Sequence, residues 1–227
     1  TIFLATDFIG TARWFWPDQM MFLLEKGRQH TTGAADQQSF SAALEETVGV
    51  TLSAADGMFR RVETGVPVDP NAIIELCKGD EVSRIHQIID RLSRALHIEL
   101  PTHRVLLNWD EVREMAGKGV TFGSHSVSHR IMTQIPLSDV KMELINSRKT
   151  LLEQGIKPVP VFCYPNGNFD RDIQELVRES RYLAAVGCEV GLERDRAGDL
   201  FALKRITLHE DSSASVPLLA FALSGFR

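Results

Sequence analysis

Cysteine is scarce in this chain of 227 residues, and the three present, Cys77, Cys163 and Cys188, are odd in number and show no C-x-x-C spacing. Neither a disulfide framework nor a thiolate zinc site is indicated, so small buried apolar residues are the expectation for all three. Long apolar runs are also missing: no stretch approaches the ~18 residues that a bilayer-spanning helix needs, and no membrane span is expected. The 25 Lys and Arg residues, outnumbered by 30 Asp and Glu for a net charge of −5, are scattered instead of clustered on one face. That argues against a nucleic-acid partner and suits a neutral or cationic ligand. No signal-peptide pattern opens the chain; Thr1-Ile2-Phe3-Leu4-Ala5-Thr6 reads as a strand from its first position, as though the chain began inside a fold. With 44% hydrophobic residues, a soluble globular protein of unassigned compartment and oligomeric state is expected.

What is present changes character at about residue 100. After the opening strand, the aromatic cluster Trp14-Phe15-Trp16-Pro17 leads into a helix over Asp18–Lys26, and residues 27 to about 100 carry helical signals without a convincing strand. Short helices are expected at Ser39–Val48 and Asn71–Lys78. A stronger one runs over Asp80–Leu96, where Val82, Ile85, Ile88, Ile89, Leu92 and Leu96 recur at helical spacing opposite charged residues. Asp56-Gly57 reads as a helix-end turn. The division expected is one domain over 1–227 with a helical insertion over 15–100.

From residue 101, helices alternate with short apolar runs, the pattern of parallel β/α units and hence of an α/β barrel or open sheet. Asn108 caps a helix Trp109–Lys118, with Glu111 completing a capping box, and Val120–Phe122 follows as a strand. Ser138 is the expected cap of a helix over Asp139–Gln154, followed by the strand Pro160–Tyr164. A helix Arg171–Ser180 leads to Leu183–Val186, then a strand Ala202–Leu208, and Ser215 caps a closing helix Val216–Leu223.

Two histidines four apart, His125 and His129, follow the strand Val120–Phe122 within Gly123-Ser124-His125-Ser126-Val127-Ser128-His129. On a helix, positions i and i+4 share a face, and two imidazoles there reach one ion at about 2.0–2.1 Å each. Spacing alone is weak evidence, but the strand end is where an α/β fold places its sites. Two neutral histidines under-coordinate an ion, so a carboxylate ligand is needed from elsewhere.

The segment resembles the H-[ST]-x-[ST]-H metal motif of the polysaccharide deacetylase family of carbohydrate esterases. Phe162-Cys163-Tyr164-Pro165-Asn166-Gly167 is similar to the family's third motif in its F-A-Y-P-x-G variant, and Lys204-Arg205-Ile206 with Phe221–Gly225 fits the C-terminal end of one subgroup. The resemblance covers the first few residues and roughly 101–227. It implies a distorted (β/α) barrel with a helical insertion, and metal-dependent hydrolysis of acetyl groups, usually N-acetyl, from a carbohydrate or polysaccharide. The divalent metal is zinc by preference, held by His125 and His129. It also implies an oxyanion donor in the backbone N–H of Asn166, a leaving-group acid in His209, and contacts to an N-acetylated sugar from Tyr164, Pro165 and, by aromatic stacking, Trp14. Core packing is the equal alternative for Trp14, and a solvated strand end for His209; His30, His86, His97 and His103 read as surface or capping residues.

The family's first motif, T-F-D-D-G, which supplies the base and the carboxylate ligand, occurs nowhere in the chain. The strand that carries it is therefore missing from this reading, and impaired or absent activity is expected of the chain as it stands. Cys163 also stands where many members have an arginine. Two other readings stay open: a non-catalytic carbohydrate-binding module on the same fold, and an unrelated metal hydrolase drawing carboxylates such as Glu75 or Asp80 from the insertion.

Overall fold

In the computed structural model, the strands are β1 (Ile2–Leu4), β2 (Leu52–Ala55), β3 (Met58–Arg61), β4 (Pro67–Val68), β5 (Phe122–Ser124), β6 (Val161–Cys163), β7 (Ala184–Val190) and β8 (Leu203–Arg205). The helices are α1 (Trp16–His30), α2 (Pro70–Cys77), α3 (Val82–Leu96), α4 (Trp109–Gly117), α5 (Leu137–Glu153), α6 (Arg171–Glu179) and α7 (Val216–Ser224). The structure describes residues 1–30, 42, 44–45, 52–55, 58–61, 67–193, 198–206 and 213–224. They divide into two compact units, one formed by 1–11 and 106–227, the other by 12–105.

The first unit is a five-stranded sheet in the order β1-β5-β6-β7-β8, every neighbouring pair parallel. This is the α/β architecture anticipated from the alternation of helices and apolar runs, and a row of parallel β/α units is consistent with a distorted barrel. Helices α5 and α6 are the crossovers that parallel neighbours require. β1 pairs with β5 in the register Ile2↔Phe122, Phe3↔Gly123 and Leu4↔Ser124, so the opening segment finds its partner some 120 positions along the chain. Gly123 is required there: a Cβ would stand 2.6 Å from the Phe3 ring. Two apolar clusters form the unit's core, one of Leu4, Ile9, Val112, Phe122, Leu151 and Ile156, the other centred on Phe162, Tyr164, Val177 and Tyr182.

Local signals hold where they are strongest. Asn108 Oδ1 accepts from the Glu111 N–H at 2.8 Å while Glu111 accepts from the Asn108 N–H at 2.7 Å, the reciprocal capping box. The Leu218 N–H donates to Ser215 Oγ at 3.4 Å ahead of α7. Several boundaries differ from expectation: α1 covers Trp16–His30 instead of Asp18–Lys26, β7 runs on to Val190, and β8 spans Leu203–Arg205. α5 begins at Leu137 with Pro136 as its cap: the ring presets φ at −57°, which the helix shares, and ψ of 144° sets Pro136 outside it, so the helix starts one residue before Ser138. β5 lies over Phe122–Ser124, two residues later than Val120–Phe122, so Ser124 is its buried last residue and His125 its immediate successor.

In the second unit, α1, α2 and α3 bury Met20, Leu23, Leu24, Ile73, Ile74, Cys77 and the α3 stripe Ile85, Ile88, Ile89 and Leu92. The stripe read from the sequence is thus the core of this unit. Asp69 caps α2 through the Asn71 N–H at 2.9 Å, and His97 ends α3 in the left-handed region at φ 53°. The expectation of no strand is corrected: β2, β3 and β4 form a three-stranded antiparallel sheet. The segment Leu52-Ser53-Ala54-Ala55 lacks large β-branched residues, so propensity gives no warning of it, and backbone pairing to β3 decides its form. Asp56-Gly57 and most of Ser39–Val48 lie outside the described residues; the segments flanking Asp56-Gly57 are strands and not helix. Among the described residues no helix is long and apolar enough to cross a membrane.

Candidate functional site

His125 and His129 are brought together by a loop and not by a helical turn. Ser126 (φ 69°) and His129 (φ 58°) are both left-handed, which folds the chain back on itself directly after β5. The helical-face expectation is corrected here. Buried polar groups hold the loop open: Glu143 of α5, 5% exposed, accepts from the N–H groups of Val127 (2.7 Å) and Ser128 (2.9 Å) and from Ser128 Oγ (2.5 Å). Such bonds cap backbone donors as a helix would, so the loop has no need to be one. Buried Ser126 accepts the His129 N–H at 2.9 Å, and the Thr6 and Asp7 N–H groups bond the carbonyls of Ser126 and Val127 from the far side.

The two rings converge. Their Nε2 atoms are 3.2 Å apart, and the ring centroids 4.8 Å. His125 Nδ1 is 2.7 Å from the carbonyl of Cys163, which accepts only, so Nδ1 carries the proton and Nε2 presents its lone pair. Burial holds both imidazoles neutral. His129 is pushed down to about 4 by burial first and His125 second; His125 is lowered by burial, against the opposing pull of the Cys163 carbonyl.

Two nitrogens that share a tetrahedral ion at about 2.0–2.1 Å each stand about 3.3 Å apart, close to the separation found between these rings. The pair therefore fits two positions of an ion's coordination shell, with the tautomer fixed as a metal ligand needs. Among the described residues, no group of three or more His, Cys, Asp or Glu side chains is placed to hold a metal. Glu75 and Asp80, the carboxylates of the unrelated-hydrolase reading, belong to no such group.

The next strand end supplies the second wall. After β6, Tyr164-Pro165-Asn166-Gly167 makes a tight turn closed by the Gly167 N–H on the Tyr164 carbonyl at 2.9 Å, with Asn166 left-handed at φ 56°. The Tyr164 side chain is fully buried and its hydroxyl donates to the Phe201 carbonyl at 3.0 Å. It supports the turn from beneath and does not present its hydroxyl to a ligand, a correction to the contact expected of it. Pro165 is likewise buried. Asn166 is half-buried, and its backbone N–H meets no protein acceptor among the described residues. Gly167 at φ 78° packs against β7, where a Cβ would fall 2.6 Å from Cys188 Cβ.

Arg205 of β8 completes this end of the sheet, donating through Nε to the Gly187 carbonyl at 2.6 Å and through Nη2 to Cys188 Sγ at 3.2 Å. Cys188 is exposed, unlike Cys77 and Cys163, which corrects the expectation of three buried cysteines. Neither Arg205 nor Glu143 was singled out from the sequence for this site. A lone acid within an amphipathic helix carries no signal that distinguishes it from a solvated one.

The remaining sequence candidates fall elsewhere. Trp14 packs inside the second unit, its N–H on the His103 carbonyl at 3.0 Å and its ring edge-on to Phe22 and His103. His86, His97 and His103 are exposed. His209 lies outside the described residues, as does the side chain of His30.

Residues 85–185, which hold both histidines and the Pro165 turn, match the family model described as polysaccharide deacetylase. YxkH of Bacillus subtilis (strain 168), named provisionally a polysaccharide deacetylase, is 22% identical over 113 residues, covering 50% of this chain and 40% of YxkH. Among solved structures, the Streptococcus pyogenes deacetylase PplD in complex with acetate aligns at 22% identity and a TM-score of 0.47, over 53% of this chain and 51% of that one. BC0361, a polysaccharide deacetylase from Bacillus cereus, aligns at 20% identity and a TM-score of 0.46, over 61% and 47%. This chain thus spans about half or less of the length of these three relatives. Both motifs that carry the resemblance, at His125–His129 and Phe162–Gly167, lie within the matched segment, whereas the opening strand, Lys204–Ile206 and Phe221–Gly225 lie outside it.

Proposed function

We propose that this chain carries the imidazole half of a carbohydrate deacetylase site, and that the reaction served is metal-dependent hydrolysis of acetyl groups, N-acetyl foremost, on a carbohydrate or polysaccharide. The observation that carries this reading is the 3.2 Å convergence of the His125 and His129 Nε2 atoms, with His125 fixed by the carbonyl that immediately precedes the Tyr164-Pro165 turn. A divalent ion, zinc by the nitrogen donors on offer, would supply Lewis acidity toward water and the acetyl carbonyl. His125 and His129, both neutral, are the residues that would hold it. The Asn166 N–H is the donor for the oxyanion that forms when water adds to the acetyl carbon, the water's proton passing to the carboxylate of the first motif, which occurs nowhere in this sequence; loss of one such N–H donor typically costs about 10² to 10³ in rate. As the C–N bond breaks the departing nitrogen takes a proton, a role we assign to His209 from its sequence position alone. Pro165 shapes the turn, and Trp14 remains a sequence-based candidate for stacking on a sugar.

We read the chain as one deacetylase-like domain interrupted by an insertion over 15–100. No third ligand accompanies the two histidines among the described residues, so we expect the chain by itself to hydrolyse weakly or not at all. The same observation favours a second reading, a non-catalytic module that keeps the fold to bind carbohydrate.

Calorimetric titration of zinc into chelator-stripped protein, with acetate release from an N-acetylglucosamine oligomer followed in parallel, tests both. One zinc site is expected, lost on His125→Ala and on His129→Ala. Zinc affinity unaltered in both variants would overturn the metal reading, and zinc bound without acetate release would favour the binding module.

A further inference from the structure

A cleft of about 330 Å³ opens between the last turns of α5 and the segment that leads from α6 into β7, lined by Ile145, Arg148, Lys149, Leu152, Ser180 and Arg181, with Glu179 as the one acid. It lies at the end of the sheet where β7 begins, whereas His125, His129 and Asn166 follow strand ends. Nothing in the proposed reaction uses it.

The lining has two chemical characters. Ile145 and Leu152 are 43% and 56% exposed, a large apolar surface for a helix to leave in water. Three cations face it. Arg148 is fixed, its Nη1 donating to the carbonyls of Ser180 at 3.4 Å and Arg181 at 3.1 Å, with its guanidinium 5.7 Å from the Tyr182 ring centre. Lys149 meets a carboxylate only loosely, Glu153 at 3.6 Å, and Arg181 sits in the left-handed region at φ 64°.

We propose that this cleft is a binding site for an amphipathic monoanion: a carboxylate on an apolar body of up to about ten heavy atoms, the scale a cavity of this size accepts. The carboxylate sits between Lys149 and Arg181, and the apolar body lies along Ile145 and Leu152. Glu179 at the rim and the sharing of Lys149 with Glu153 select a single negative charge over a phosphate dianion. Arg148 already ties down two carbonyls, so it frames the site and is a poor choice for substitution.

The test titrates octanoate into the full chain by calorimetry, with 1-octanol as the uncharged match and acetate as the head without the body. Octanoate is expected to saturate one site and to bind at least tenfold more tightly than either control. Lys149→Gln combined with Arg181→Gly should weaken octanoate at least tenfold and leave octanol unchanged; glycine suits the left-handed position, so the fold is kept. Leu152→Asp should abolish octanoate binding, with circular dichroism unaltered in every variant. Octanol binding as tightly as octanoate, affinity indifferent to both the charge and the Leu152 substitutions, or no saturation would each overturn the proposal. None of these outcomes depends on the deacetylase reading.

Discussion

Buried polar side chains separate the two units more sharply than their helix and strand content does. In the unit formed by residues 12–105, every residue of the described core is apolar, from Met20 to Leu92. Among the described residues, all five buried polar or charged residues, Thr6, Ser124, Ser126, Glu143 and Ser147, belong to the other unit. They gather around the loop that carries His125 and His129. Ser124 and Ser147 hydroxyls meet at 2.5 Å beneath β5, Tyr182 donates to the Leu144 carbonyl beside them at 2.9 Å, and Glu143 closes the loop above. An apolar core needs only pattern and volume. A polar one must satisfy its polar groups, as the side chains of Ser124, Ser126, Glu143 and Ser147 do, so it specifies geometry at a cost in stability, and it is found where geometry is used.

The sharpest way to break this contrast is Glu143→Ala. It strands the Val127 and Ser128 N–H groups and removes an ion-pair partner of Arg130 at 3.3 Å. Stranding buried N–H groups costs about 1–3 kcal/mol each, and Arg130, part exposed, keeps Asp139. Loss of a group that orients a ligand typically weakens metal affinity about 10–100-fold. Urea unfolding should show the first and zinc calorimetry the second. A variant that kept wild-type zinc affinity would mean that Glu143 serves the fold alone and that the loop holds its own shape.

The converse substitution is Leu92→Ala in the apolar unit. Leu92 is fully buried, and a Leu→Ala cavity costs about 2–5 kcal/mol. Zinc affinity at His125 and His129 should not change. A zinc affinity that fell with it would dissolve the contrast by coupling the apolar core to the histidine pair.

The same contrast explains what the sequence disclosed. The α3 stripe, the Asn108–Glu111 capping box and the alternation of β/α units were legible because each rests on residues a few positions apart. The histidine pair was legible as a pair, yet its geometry was not: four-residue spacing suits a helix, and only the Glu143 carboxylate and the Ser126 hydroxyl make a left-handed loop the better solution. Glu143 lies 14 positions after His129 on a helix whose other acids are solvated, so nothing local marks it. Strands β2 to β4 were missed because weak propensity was overridden by pairing, and the burial of Tyr164 because a motif names a residue without saying which way it faces.

The cysteines give the gentlest probe of the two units, since each holds one buried thiol. Cys77 and Cys163 are hidden, and burial pushes both thiols up, Cys163 to about 11, so at pH 8 neither is appreciably thiolate. Exposed Cys188 should be alkylated by iodoacetamide within minutes under native conditions, and mass spectrometry should find the other two unmodified. Their slow labelling then reports how often each unit opens, Cys77 for the apolar core and Cys163 for the sheet. Leu92→Ala should accelerate Cys77 and leave Cys163 near its wild-type rate, and Glu143→Ala should do the reverse. If both thiols responded equally to either substitution, the two regions would open as one cooperative body, and their difference would lie in chemistry alone and not in stability.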